Sequence, residues 1–436
     1  MIKIFVAENI PSLNKGEMAI LDGMIESFRT LGNVELSMLS ARPEIDKSRY
    51  GSRIKIIGVG DHWLRNGGMN SSKCGKILAS IRVLSQHILF IIFYKIFKDG
   101  ALNLFRSAVW NEYLTANIII KGHDGTFGVG GSMGGPLLYP LYLPFFAKIL
   151  NKPSVLYAGS VPRSKRFRFI FENLYRLALN NMDLITLRET TSYKNLLAIG
   201  AKEKNVFVTA DLAFLLKPVQ LKRIKEIMAE EGIDDSSTLL IGMTITREIA
   251  SKSTPELDAD RSYHNHISMM GEFIDKIVNT HNAKFVFIPH CIGFGRNLDD
   301  RIAAEDIYNI CNSKSNIKLI TTEYDAQELK GLIGELDFFI GERVHSVINA
   351  LSMKVPSICI SFSDDKRLDM LKLIGQEDAI CHVENLNLDQ LVIKFNLMWS
   401  MKATIQKDLT ERIKEIQNQS RRNGGLLKAI YMEKSK

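Results

Sequence analysis

"DFFIGERVHSVINALSMKVPSICIS", residues 337–361, sets the architecture. A short apolar run ends near Gly341, an amphipathic run starts at about Ser346, and Pro356 lies within a second apolar run that closes at Ser361. Strand, helix, strand at this spacing reads as one unit of a parallel sheet, because strands that run the same way need a crossover between them.

The same alternation fills the chain. Strands are predicted at 2–7, 34–39, 53–59, 117–122, 153–159, 184–188 and 206–210, and a second series at 238–245, 283–290, 317–322, 337–343 and 355–361, with helices between. Pro218 and a charged run over 217–237 separate the series. The prediction is an α/β protein of two Rossmann-like, doubly wound parallel-sheet domains facing a cleft. Its parts are a first domain over 1–217, a linker over 218–236, a second domain over 237–400, and a closing helix that crosses back, with a basic tail, over 401–436.

Composition narrows the class. At 436 residues with 46% apolar and 24% charged side chains, the chain can bury a core larger than one ordinary domain needs. Cys74, Cys291, Cys311, Cys359 and Cys381 lie far apart with no CxxC, so neither a metal centre nor a disulfide framework is expected, and a reducing compartment suits them. The first residues, "MIKIFVAENI", read as a strand and not as an export signal, which points to the cytoplasm. A net charge of +8 favours anionic partners. Its cations are interspersed with acids, which argues for a small-molecule cleft and against a nucleic-acid track. Residues 76–100 carry an apolar block, Ile88 to Tyr94, between Arg82 and Lys95/Lys98. The block is too short to span a bilayer. It reads either as an interfacial helix in peripheral contact with the inner face of a membrane or as a helix packed on the first domain's core.

Ligands of open parallel sheets collect beyond the carboxyl ends of the strands. After the first strand comes Asn14-Lys15-Gly16; after "NIIIKG", ending at Gly122, comes a glycine-rich turn with Asp124 and Gly125; after "DLITLR" come Glu189 and Ser192; after "VTA" comes Asp211. The glycine-rich turn matches neither a dinucleotide fingerprint nor a P-loop. No G-x-S-x-G elbow is present, so hydrolase readings lose ground. The richest turn is Arg343-Val344-His345. A helix amino terminus attracts an anion, the guanidinium adds a bidentate grip, and the imidazole moves protons near neutrality. The plainer reading pairs Arg343 with Glu342 or Glu323. Arg188 holds an equivalent place in the first half, and His290 closes a strand behind Pro289.

"NKGEMAIL", the glycine-rich turn, "DLITLRETTSYKNLLAIGAK", "VTADLAFLL", "FIPH" and "GERVHSVINALSMKVPSICIS" followed by "DDKR" resemble, in order, the motifs of the polysaccharide pyruvyl transferase family over roughly residues 1–390. The resemblance implies a GT-B-like fold and transfer of a pyruvyl group from phosphoenolpyruvate, as a ketal, to a sugar of a cell-surface polysaccharide or its lipid-linked precursor. It places phosphoenolpyruvate against Arg188, Arg343 and His345, with the donor on the second domain and the acceptor on the first. His345 is then the candidate general acid, and His290 or Asp124 the candidate base. Val344, Asn14, Lys15, Gly16, Gly122, Asp124, Gly125, Asp211, Ser192 and Lys366 complete the expected substrate-binding set. No metal and no cofactor is required, since fixed cations supply the charge stabilisation. A nucleotide-sugar glycosyltransferase on the same frame is the alternative.

Overall fold

Short β-branched and aromatic runs bounded by turn residues form buried strands, and helices between successive parallel strands return the chain to the sheet's amino edge. The computed structural model describes residues 1–58, 85, 88–98, 100, 107–122, 139–161, 168–233 and 238–434. Among them the first sheet contains β1 (Ile2–Asn9), β2 (Val34–Ser40), β3 (Lys55–Gly58), β4 (Ile118–Lys121), β5 (Ser154–Gly159), β6 (Leu184–Leu187) and β7 (Val206–Val208), in the order β3-β2-β1-β4-β5-β6-β7. The second contains β8 (Leu239–Thr244), β9 (Ala283–Phe287), β10 (Ile317–Leu319), β11 (Phe338–Gly341), β12 (Ser357–Ser361) and β13 (Ile380–His382), in the order β10-β9-β8-β11-β12-β13. The strand pairings in both sheets are parallel. Both orders reverse direction beside their first strand, which is the doubly wound topology with its ligand-binding switch point. The periodicity does not mark β13, which is only three residues long.

The chain divides into two compact units that are not contiguous in sequence. The first comprises Met1–Ser12, Ile25–Asp211 and Ser420–Lys436; the second comprises Leu13–Met24 and Leu212–Gln419. Three expected boundaries change as a result. Asn14, Lys15 and Gly16 pack with the second sheet and not with the first. Residues 218–236 are no bare linker, because they carry the helix Leu221–Glu230, whose Ile224 lies under Gly331 and whose Arg223 donates to Glu328 at 2.9 Å. The closing helix, Lys402–Lys434, belongs to the first unit only from Ser420 onward. There Ser420 Oγ donates to the Asp211 carbonyl (2.7 Å), and Thr209 Oγ1 donates to Asn423 Oδ1 (2.9 Å). Gly424 lets the helix come so near Ser27 that a Cβ would sit 2.2 Å from its carbonyl oxygen.

Lys330, buried in the helix Ala326–Gly334, donates to the Leu216 carbonyl at 2.7 Å. Burial lowers its pKa from 10.5 to about 7. The unfolded chain therefore binds one more proton between those values, so stability rises with pH through the window 7 to 10.5 and is indifferent to this group below it. The slope it contributes is at most ~1.4 kcal/mol per pH unit. Urea unfolding across that window should show the slope reduced in Lys330→Met; an unchanged slope would exclude the buried ammonium as its source.

Candidate active site

In the second unit the strand order reverses between β8 and β11, and Arg343 stands two residues beyond the end of β11 as the residue that caps the helix Val344–Ser352. The helix thus begins two residues earlier than its amphipathic pattern suggested. Arg343 does have an acidic partner, but not the neighbours the plainer reading named. Its Nη2 donates to Asp300 Oδ1 at 2.8 Å, its Nε lies 3.3 Å from the same oxygen, and Nη1 is 3.8 Å from Glu248. Burial works against the guanidinium's charge, but Asp300 outweighs it and holds the pKa above the ordinary arginine value. Glu342 is turned elsewhere, toward His266 Nε2 (2.6 Å) and the Thr246 N–H (2.6 Å), while Glu323 takes Lys15 Nζ at 2.8 Å.

Asp300 is the hub. Its Oδ2 also accepts the backbone N–H groups of His290 (3.0 Å) and Cys291 (2.8 Å), so one buried carboxylate fixes Arg343 and the turn after β9 together. The Leu13–Lys15 segment before the helix is stitched to that turn: Asn14 bridges Cys291, the Lys15 N–H donates to the His290 carbonyl at 2.7 Å, and the Ile292 N–H donates to the Leu13 carbonyl at 3.0 Å. Asn14 Oδ1 then caps the helix Lys15–Ser27 by accepting the Gly16 N–H at 3.0 Å. His345, on the first turn of its own helix, lies against that helix start. A Cβ on Gly16 would be 2.8 Å from His345 Cβ and 3.0 Å from Nδ1.

Lys15, Gly16, His290, Arg343, Val344 and His345 therefore converge. His290 is 1% exposed, and its Nε2 has no hydrogen-bond partner. Burial lowers its pKa to about 3; a hydrogen bond to the Ile288 carbonyl opposes this, and Arg343, His345 and Lys15 add repulsion. The ring is neutral at physiological pH, the form that accepts a proton. Beside Arg343 a pocket of about 140 Å³ opens at the ends of β8, β11 and β12, bounded by Thr246, Glu248, Phe362, Asp365 and Arg367. That is less than the roughly 300–1,000 Å³ of pockets for drug-sized ligands. Lys366 is half-buried in the turn Lys366–Leu368 between two of these residues.

Arg188, Ser192 and Asp211 meet in the first unit, in a cluster that is buried and not at the surface. Arg188 is 1% exposed, donates from Nη1 to Asp211 Oδ2 at 2.6 Å and lies 3.3 Å from Glu189. Glu189 accepts from Ser160 (3.0 Å) and from Ser192, whose Oγ accepts the Val161 N–H at 2.7 Å. The Gly122 N–H and Lys121 Nζ both donate to Glu8, closing β4 onto β1. Asp124 and Gly125 lie outside the described residues.

Gly16→Ala gives a sharp test of the packed turn. The added methyl would lie 2.8 Å from His345 Cβ, an atom that rotation of the ring does not move, so the two helix starts must shift apart. Turnover is expected to fall by up to about 100-fold, as small misplacements of reacting groups do, together with a stability loss of about 1–3 kcal/mol from overpacking. Full activity in this variant would show that the contact does not position His345.

Two Rossmann-like parallel-sheet units give the chain a GT-B-like fold. Solved structures share the frame: a glycosyltransferase from Rickettsia africae (TM-score 0.58, 12% identity, 100% of this chain and 99% of that one) and a UDP-GlcNAc 2-epimerase from Methanocaldococcus jannaschii (TM-score 0.56, 13% identity, 91% and 92%). The model of the polysaccharide pyruvyl transferase family matches residues 14–364, and the chain belongs to that family. It is similar to the amylovoran biosynthesis protein AmsJ of Erwinia amylovora, with 22% identity over 423 residues, 95% of this chain and 96% of that protein. The protein is a polysaccharide-modifying transferase. Among the described residues no helix is long and apolar enough to cross a membrane.

Proposed function

We propose that the enzyme transfers the pyruvyl group of phosphoenolpyruvate, as a ketal, to a sugar of an exopolysaccharide or its lipid-linked precursor in the cytoplasm. The observation that carries this reading is the Arg343 turn: a guanidinium oriented by Asp300 at a helix amino terminus, two residues from His345 and beside His290. Arg343 grips an anionic group of the donor, which displaces the loose contact to the half-exposed Glu248. His345 protonates the methylene carbon, C2 becomes electrophilic, and one sugar hydroxyl adds there. Phosphate leaves, and a second hydroxyl adds to C2 to close the ketal. Of the two hydroxyl protons, one offsets the proton given to the methylene and the other departs with phosphate. His290 is the candidate base for the attacking hydroxyl, and its buried ring, which burial, Arg343, His345 and Lys15 hold against protonation, needs the bound donor's negative charge beside it to take up that proton.

The test is a thermal-shift screen followed by turnover. Phosphoenolpyruvate should raise the melting temperature and, with an exopolysaccharide acceptor, release phosphate and leave a ketal detectable by its methyl resonance. Stabilisation by UDP- or GDP-sugars with none by phosphoenolpyruvate would replace this reading with a glycosyltransferase.

A further inference from the structure

The helical residues 88–97 are apolar on every side, interrupted only by Lys95. One side is accounted for. Phe90 is buried, stacks on Trp110 at 4.1 Å between centroids and lies 6.4 Å from Phe146, while Ile91, Phe93 and Tyr94 pack against the same cluster. The opposite side is in water: Ile88, Leu89, Ile92 and Ile96 are 50%, 47%, 48% and 65% exposed. Residues 88, 92 and 96 stand above one another on a helix, with Leu89 alongside. The helix Tyr139–Ile149, which brings Phe146 against Phe90, leaves Phe145 and Ile149 partly exposed as well. A helix apolar all round belongs where both faces are covered, and a row of this size marks an interaction surface.

Charge identifies the occupant. Lys95 borders the row, Lys98 follows it, both are exposed, and none of residues 88–98 is acidic. Within residues 88–98 the apolar stripe is flanked by cations, which matches the boundary between acyl chains and anionic headgroups. A second copy of the chain would bring the same lysines with no acid on this element to meet them. We propose that residues 88–97 are a membrane-docking element, seating Ile88, Leu89, Ile92 and Ile96 among the acyl chains of an anionic bilayer with Lys95 and Lys98 at the level of the phosphates. The element docks and does not span, since ten residues are half of the ~20 a crossing helix needs. This surface is independent of the donor chemistry proposed above, and it gives the enzyme access to acceptors carried on lipid.

Co-sedimentation of the full chain with vesicles of phosphatidylcholine plus phosphatidylglycerol, against phosphatidylcholine alone, tests it without reference to activity. The wild type is expected to pellet with the anionic vesicles, I92E/I96E to remain in solution, and K95Q/K98Q to bind about fivefold more weakly for each lysine removed. Unchanged urea unfolding of the variants checks their folding. Wild-type binding to neither vesicle, or I92E/I96E binding as tightly as wild type, overturns the proposal. So does a wild-type dimer that I92E/I96E dissociates while no vesicle binding occurs.

Discussion

Arg343→Ala is expected to lower turnover of phosphoenolpyruvate by a factor of about 100 to 1,000, the usual cost of removing one fixed group that stabilises developing charge. The loss should fall on catalysis more than on folding. Asp300 Oδ2 keeps the N–H groups of His290 and Cys291 as donors when the guanidinium is gone, while Oδ1 loses its Arg343 donor, so stability falls as well but by less than for an unpaired buried charge. Arg343→Lys should recover part of the rate, because it restores a charge but not the fork that contacts Asp300 through Nε and Nη2. Phosphate release measured at limiting and saturating donor reads the effect. Wild-type kcat/KM in Arg343→Ala would remove the turn from the site.

Arg188→Ala should act on the fold. This guanidinium contacts both Asp211 and Glu189 with all three side chains at 1% exposure or less, and its loss leaves two buried carboxylates without their shared cation. Breaking a buried pair in this way costs about 3–5 kcal/mol. The urea midpoint should fall accordingly, and Asp211→Asn should lower it less, since Glu189 still balances the arginine. A variant as stable as wild type but with weakened phosphoenolpyruvate binding would instead make Arg188 a direct donor contact, the role that the family resemblance implies.

These two arginines show how far the sequence reaches. Both follow apolar runs that end in a turn, so their positions beyond the strand ends are legible from periodicity. What separates them is the company they keep, and that is set by long-range contacts. Asp300 illustrates the difficulty. In "NLDD" it reads as half of a helix cap, and Asp299 does cap, accepting the Arg301 N–H at 3.1 Å. Asp300 points inward to Arg343, 43 residues away in sequence. A pair of acids where one cap suffices was the available signal. Lys15 and Gly16 were visible as a loop after the first strand, but their attachment to the second sheet depends on pairing with residue 291, which no local pattern encodes. The apolar block at 88–94 was ambiguous for a different reason: periodicity could not choose between core and surface because the helix uses both sides.

The exchanged segments bear on how the protein is made. Residues 13–24 emerge early but complete a unit that ends at Gln419, and the first unit waits for residues 420–436. Neither can finish packing until nearly the whole chain has left the ribosome, so domain-by-domain folding during synthesis is closed to it. Until then residues 15–24 of the helix Lys15–Ser27 lack the unit into which they pack. Truncations at the apparent domain boundary near 212 would strand that helix on one fragment and its binding surface on the other.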